Sequence, residues 1–178
     1  MPAIIRLATF QDIPQLQQLI ALSARGLSAG YYTQAETESA IKYVFGVDTQ
    51  LVTDRTYFVI EDAGVIIACG GWSKRNTLFG GDQFKTEADP LLDPQKDAAR
   101  IRAFFVHPDS ARRGIGQMLI NACEAAAIEN GFSKMEMGAT LPGVPFYARM
   151  GYAELEDIKL PLPDGEVMGI VRMGKELK

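Results

Sequence analysis

Phe105-Val106-His107-Pro108-Asp109-Ser110-Ala111-Arg112-Arg113-Gly114-Ile115-Gly116 is the stretch on which the fold turns. Ahead of it, Ala99–Val106 is an apolar run that reads as a strand. Behind it, Ile115, Leu119, Ala122, Cys123 and Ala126 recur at helical steps until Gly131 stops them. A strand therefore feeds a helix through a basic, glycine-bearing turn. The first amides of a helix have no partner inside it, and its start carries about half a positive charge. Gly114 and Gly116 clear side chains from those amides, while Arg112 and Arg113 add two full charges beside them. Such a turn suits a phosphate group. A Walker-type loop needs Gly-Lys-Ser/Thr at its end, and the dinucleotide pattern G-x-G-x-x-G fails where Leu119 stands.

Working outward, Ala3–Ala8 is a short strand, and Thr9 and Asp12 announce a helix whose face is Ile13, Leu16, Leu19, Ile20 and Ser23. A link carrying Tyr31 and Tyr32 leads to a second helix over Thr33–Phe45. Tyr57–Glu61 and Val65–Trp72, joined by Asp62-Ala63-Gly64, read as a hairpin. Lys74–Asp97 has neither helical nor strand periodicity, and loops of that length in compact domains usually serve function. Downstream come a strand over Phe132–Ala139, a short helix over Leu141–Met150, and a closing hairpin of Tyr152–Leu162 with Glu166–Met173. The expected order is βααβββαβαββ, seven strands and four helices in one α/β (α+β) domain over residues 1–178.

Pro145-Phe146-Tyr147-Ala148-Arg149-Met150-Gly151-Tyr152 places a tyrosine on that short helix, one supersecondary unit after the basic turn. A strand, Val106-His107-Pro108, a basic turn with Gly114-x-Gly116, a long helix, a strand, then Phe-Tyr-x-x-x-Gly-Tyr: this succession resembles the GNAT superfamily of acetyl-CoA-dependent N-acetyltransferases. The order of elements matches over nearly the whole chain, and the motifs lie in Ile101–Tyr152. The resemblance implies a mixed, mostly antiparallel sheet splayed between its fourth and fifth strands. It implies that the amides of Arg113, Gly114, Ile115 and Gly116 hold the diphosphate of coenzyme A, with Arg112 adding charge. Phe105 and Val106 would lend main-chain groups to the pantetheine arm, one amide polarising the thioester carbonyl. Ala111 stands where the family usually has Gln or Arg, and Thr140-Leu141-Pro142-Gly143 lacks the asparagine often found there.

Acyl transfer to an amine needs a neutral nucleophile, a stabilised oxyanion and a proton for the departing thiolate. In the family the tyrosine matching Tyr147 supplies that proton, and a phenol with a reference pKa near 10 is protonated at neutral pH. Glu136 and His107 are the candidate bases. Tyr31, Tyr32, Trp72 and Phe79 are expected to line the acceptor pocket.

Lys and Arg total 18 against 22 Asp and Glu, a formal charge of −4, so no general attraction to nucleic acid or to an anionic membrane is expected. No apolar run reaches the ~18 residues of a membrane span, and the first residues do not read as an export signal, so a cytoplasmic protein is expected. Cys69 and Cys123 are far apart, and one histidine accompanies them, which supports neither a disulfide framework nor a metal site. The expected function is acetyl transfer from acetyl-CoA to a primary amine of a small molecule by direct attack in a ternary complex, with a homodimer as a further expectation. A non-catalytic acyl-CoA-binding module, another acyl donor and a protein amine are the alternatives.

Overall fold

The computed structural model describes residues 2–178. Its elements are β1 (Ile4–Leu7), α1 (Ile13–Leu27), α2 (Gln34–Tyr43), α3 (Thr49–Thr53), β2 (Tyr57–Asp62), β3 (Val65–Ser73), β4 (Ala99–Val106), α4 (Ile115–Glu129), β5 (Lys134–Thr140), α5 (Val144–Arg149), β6 (Ala153–Pro161) and β7 (Val167–Glu176). The seven strands form one sheet in the order β1-β2-β3-β4-β5-β7-β6, antiparallel except where β4 meets β5. The sheet and the element order follow the sequence reading. The helix count does not: five α-helices are present among the described residues, because Asp48 caps the five-residue α3 by accepting the Gln50 amide. No helix among the described residues is long and apolar enough to cross a membrane.

Strand alternation sorts the core. Val59, Cys69 and Phe105 turn to α1 and α3, where Leu16, Leu19, Ile20, Leu51 and Val52 cover them. Ile60, Ala68, Phe104 and Val106 turn the other way, beneath Ile115 and Leu119 of α4. Farther along α4, Ile120, Cys123 and Ala127 pack on Ile101, Met135, Met137 and Met173. Each Val, Leu, Ile, Phe or Met among them contributes about 1.5–3 kcal/mol when fully withdrawn from water. Both cysteines are wholly buried and unpaired; burial pushes the Cys69 thiol up to about 12 and raises Cys123 well above its ordinary value.

Two irregularities position the site. On β4 the register to β3 slips between Arg102 and Phe105, and Ala103 sits there with a left-handed φ of 52°. An alanine seldom adopts that conformation, and Tyr57 holds it by donating its hydroxyl to the Ala103 carbonyl at 2.8 Å. The second is the divergence of β4 from β5. Among the described residues they pair only at Ala99 with Met135 and Arg100 with Glu136, so the rest of β4 has no described strand beside it on that edge.

Candidate active site

A cavity of about 70 Å³ opens where β4 and β5 part. Ala103, Phe104 and Phe105 wall it on one side, Met137 to Thr140 on the other, with Tyr147 and the Phe79–Gly81 segment completing the enclosure. Main-chain polarity comes from β4. The His107 amide donates to the Ile67 carbonyl on β3, so the preceding Val106 amide, by strand alternation, faces the gap, where it donates to Ser23 Oγ at 3.2 Å.

The start of α4 meets the same region. The Met118 amide donates to the Gly114 carbonyl as the first helical bond, which leaves the amides of Ile115, Gly116 and Gln117 without partners in the helix. Gly114 has φ 79° with nothing within 4 Å of where a Cβ would lie, and Arg112 is also left-handed at φ 64°. Consecutive amides are thereby turned outward into a concave, uncapped donor array that fits a diphosphate. Arg113 is half exposed and only loosely held by Asp62 at 3.4 Å, so its charge remains available at the turn. A Cβ at Gly116 would come within 3.0 Å of Phe146, and the Phe146 ring lies 5.1 Å from that of Tyr147, so the turn, α5 and the cavity are contiguous.

Tyr147 is 8% exposed, with Phe104 and Tyr152 rings about it at 6.2 and 6.0 Å. Burial, then the neighbouring Cys123, holds its phenol well above the usual tyrosine value. It is therefore a proton carrier throughout the physiological range and loses that proton less readily than a free phenol.

The expected acceptor residues separate. Phe79 stands on the cavity wall, its ring lying on β5 so closely that a Cβ at Gly138 would meet it at 2.8 Å. Trp72 lies elsewhere: it is 2% exposed and packs edge-on against Phe132 at 6.1 Å. It registers with Ile101, which lines the cavity, but Trp72 itself does not. Tyr31 is half exposed and lies off the cavity. Tyr32 is structural: its hydroxyl donates to the Gly169 carbonyl at 2.7 Å and accepts the Leu141 amide at 2.9 Å, and burial pushes its pKa up to about 12.

Neither candidate base reaches the cavity. Glu136 is ion-paired with Arg172 at 2.8 Å and faces Arg100 at 3.8 Å. His107 uses Nδ1 to accept the Asp109 amide at 3.1 Å, a capping role in the turn. One residue absent from the sequence reading lies next to the cavity. Arg102 is fully buried, and its Nη2 donates to Asp48 Oδ2 at 3.0 Å and to the Gly80 carbonyl at 2.6 Å. Its only sequence signal was a charge within an apolar strand.

A model of the acetyltransferase (GNAT) family matches residues 17–152. No curated protein matches the chain. Solved structures do. A GCN5-related N-acetyltransferase from Rhodopseudomonas palustris is 19% identical with a TM-score of 0.75, over 99% of this chain and 97% of that one. PaiA N-acetyltransferase from Thermoplasma acidophilum, in complex with coenzyme A, is 13% identical with a TM-score of 0.66, over 99% of both chains. The yncA protein of Salmonella typhimurium, solved with its cofactor acetyl-CoA, is 14% identical with a TM-score of 0.64, over 100% of this chain and 95% of that one. At these identities the likeness establishes the fold.

Proposed function

The chain belongs to the acetyltransferase (GNAT) family, and on that premise we propose that it moves an acetyl group from acetyl-CoA to the primary amine of a small acceptor by direct attack in a ternary complex. The observation that supports this reading is the proximity of three features: helix-start amides of α4 without helical partners, the unpaired edge of β4, and Tyr147 at the cavity, with Phe146 bridging Gly116 and Tyr147. Acetyl-CoA would supply an activated acyl group on a good leaving thiolate. The amides of Arg113 to Gly116 would hold its diphosphate, Arg112 and Arg113 adding charge. The Val106 amide, released from Ser23, would donate to the arm or to the thioester oxygen beside Phe105. As the C–N bond forms and the C–S bond breaks, Tyr147 would give its proton to the thiolate, and the proton shed by the attacking nitrogen would restore the phenol by way of solvent. The raised pKa of Tyr147 keeps it in the acid form.

The chain is one domain over residues 1–178 and acts in the cytoplasm. The edge strand β6, bonded only to β7, is where a second copy would join the sheet in a homodimer.

Calorimetric titration with CoA and acetyl-CoA tests the premise, and release of free thiol across an amine panel tests the reaction. Association of neither ligand would overturn the proposal. Parallel double-reciprocal plots with an isolable acetyl-enzyme would overturn direct transfer.

A further inference from the structure

A guanidinium presents five N–H donors, and Arg102 uses only those of Nη2. Its Nε and Nη1 are buried without a partner among the described residues. Native interiors seldom leave polar groups in this condition, and an orphaned donor on a charged side chain is the costliest form of it. Asp48 cannot supply the deficit. Its Oδ1 takes the Gln50 amide, and both its oxygens take Lys85 Nζ at 3.0–3.2 Å. Lys85 is shared in turn with Asp89.

The position of the orphaned donors is specific. Ile101 and Ala103 flank Arg102 on β4, and both line the cavity beside Tyr147. Gly80 lines it too, and the Gly80 carbonyl is what lies on Arg102. The Phe79–Gly81 segment is thus a partition between the buried guanidinium and the reaction cavity. Nη2 carries one proton on each edge of the fork, one beside Nε and one beside Nη1. A carbonyl has a single oxygen for an edge with two donors. A carboxylate has two, at the matching spacing.

We propose that the acceptor is an amine that also bears a carboxylate, an amino acid or a close relative, and that its carboxylate displaces the Gly80 carbonyl to bind the Arg102 fork. This names the acceptor class of the acetyltransferase site and rests on that reading. Phe79–Gly81 withdraws to admit the group, and Arg102 is the residue that sets specificity.

The test uses matched acceptors: L-amino acids and ω-amino acids against their carboxamides and decarboxylated amines, assayed by thiol release and by thermal shift. Carboxylates are expected to exceed their amides by about tenfold or more in kcat/KM, the difference lying in KM. Arg102→Lys keeps the charge but not the fork. It should raise KM for carboxylate acceptors about tenfold and erase the preference over amides, while calorimetry shows acetyl-CoA affinity retained. If Arg102→Lys does not fold, the wild-type panel decides alone. Amides as good as carboxylates, polyamines as the best acceptors, or a preference unaltered in Arg102→Lys would overturn the inference. Failure of acetyl-CoA to bind wild-type protein would overturn the transferase reading instead; the thermal shift by free amino acids over their amides then supports the carboxylate site if present and overturns it if absent.

Discussion

The Val106 amide donates to the hydroxyl of Ser23 at 3.2 Å, so helix α1 supplies the partner for a strand edge from which β5 has diverged. The bond is long and neutral, worth about 0.5–1 kcal/mol, and it competes with any ligand that uses the same amide. Ser23→Ala should tighten acetyl-CoA binding about two- to fivefold, read by calorimetry. Weaker binding in that variant would remove the Val106 amide from the coenzyme contacts.

Tyr147→Phe removes a hydroxyl and leaves the ring packing with Phe104, Phe146 and Tyr152 in place. Turnover should fall about a hundredfold, the scale of a lost general acid. Acetyl-CoA affinity and the melting temperature should barely move. An unchanged kcat would take the tyrosine out of the mechanism.

Titration gives an expectation at each end of the pH scale. Burial raises the phenols of Tyr57, Tyr147 and Tyr152. Folding thus favours their protonated forms, a contribution complete below the unfolded value of about 10 and lost as pH rises through the higher folded values. Asp12 is the opposite case, brought down to about 2 chiefly by its hydrogen bonds from Arg6. Its contribution is present above the unfolded value of about 3.8 and disappears as pH falls toward about 2. Denaturant unfolding should show stability declining above about pH 10, and Asp12→Asn should flatten the acid limb. A stability profile level from about pH 9 to about pH 11.5 would contradict the first expectation.

Gly114 adopts a left-handed φ of 79° in open space. Gly114→Ala therefore meets no clash, and its cost is conformational, about 1–2 kcal/mol. Acetyl-CoA affinity should fall alongside stability as the outward-turned amides shift. Retained affinity in a destabilised variant would place the diphosphate elsewhere.

Trp72 belongs to the core, so Trp72→Phe should lower stability by about 1–3 kcal/mol and leave acceptor KM unchanged. A selective rise in KM would return the indole to the acceptor wall.

Much of this molecule was legible because its signals are local. The turn before α4 announces itself by Arg112, Arg113, Gly114 and Gly116, and the α4 stripe and the two hairpins follow from periodicity and turn residues. Helix α3 escaped because five residues cannot display a 3.6-residue period. For Trp72 and Tyr32 the sequence is ambiguous because an aromatic residue reads alike in a pocket and in a core; the packing of Trp72 on Phe132 and the bonds of Tyr32 to Gly169 and Leu141 are tertiary and leave no local signal. Arg102 escaped for a related reason. Its partners Asp48 and Gly80 lie 54 and 22 residues away along the chain, and no spacing rule connects them.

The burial of Cys69 and Cys123 has a practical side. A reaction of this class is followed by dyes that capture the sulfhydryl set free with each turnover. A folded enzyme whose own sulfurs are shielded and poorly ionised contributes no background to that signal, so a slow rise in colour without substrate would report unfolding of the enzyme in the cuvette.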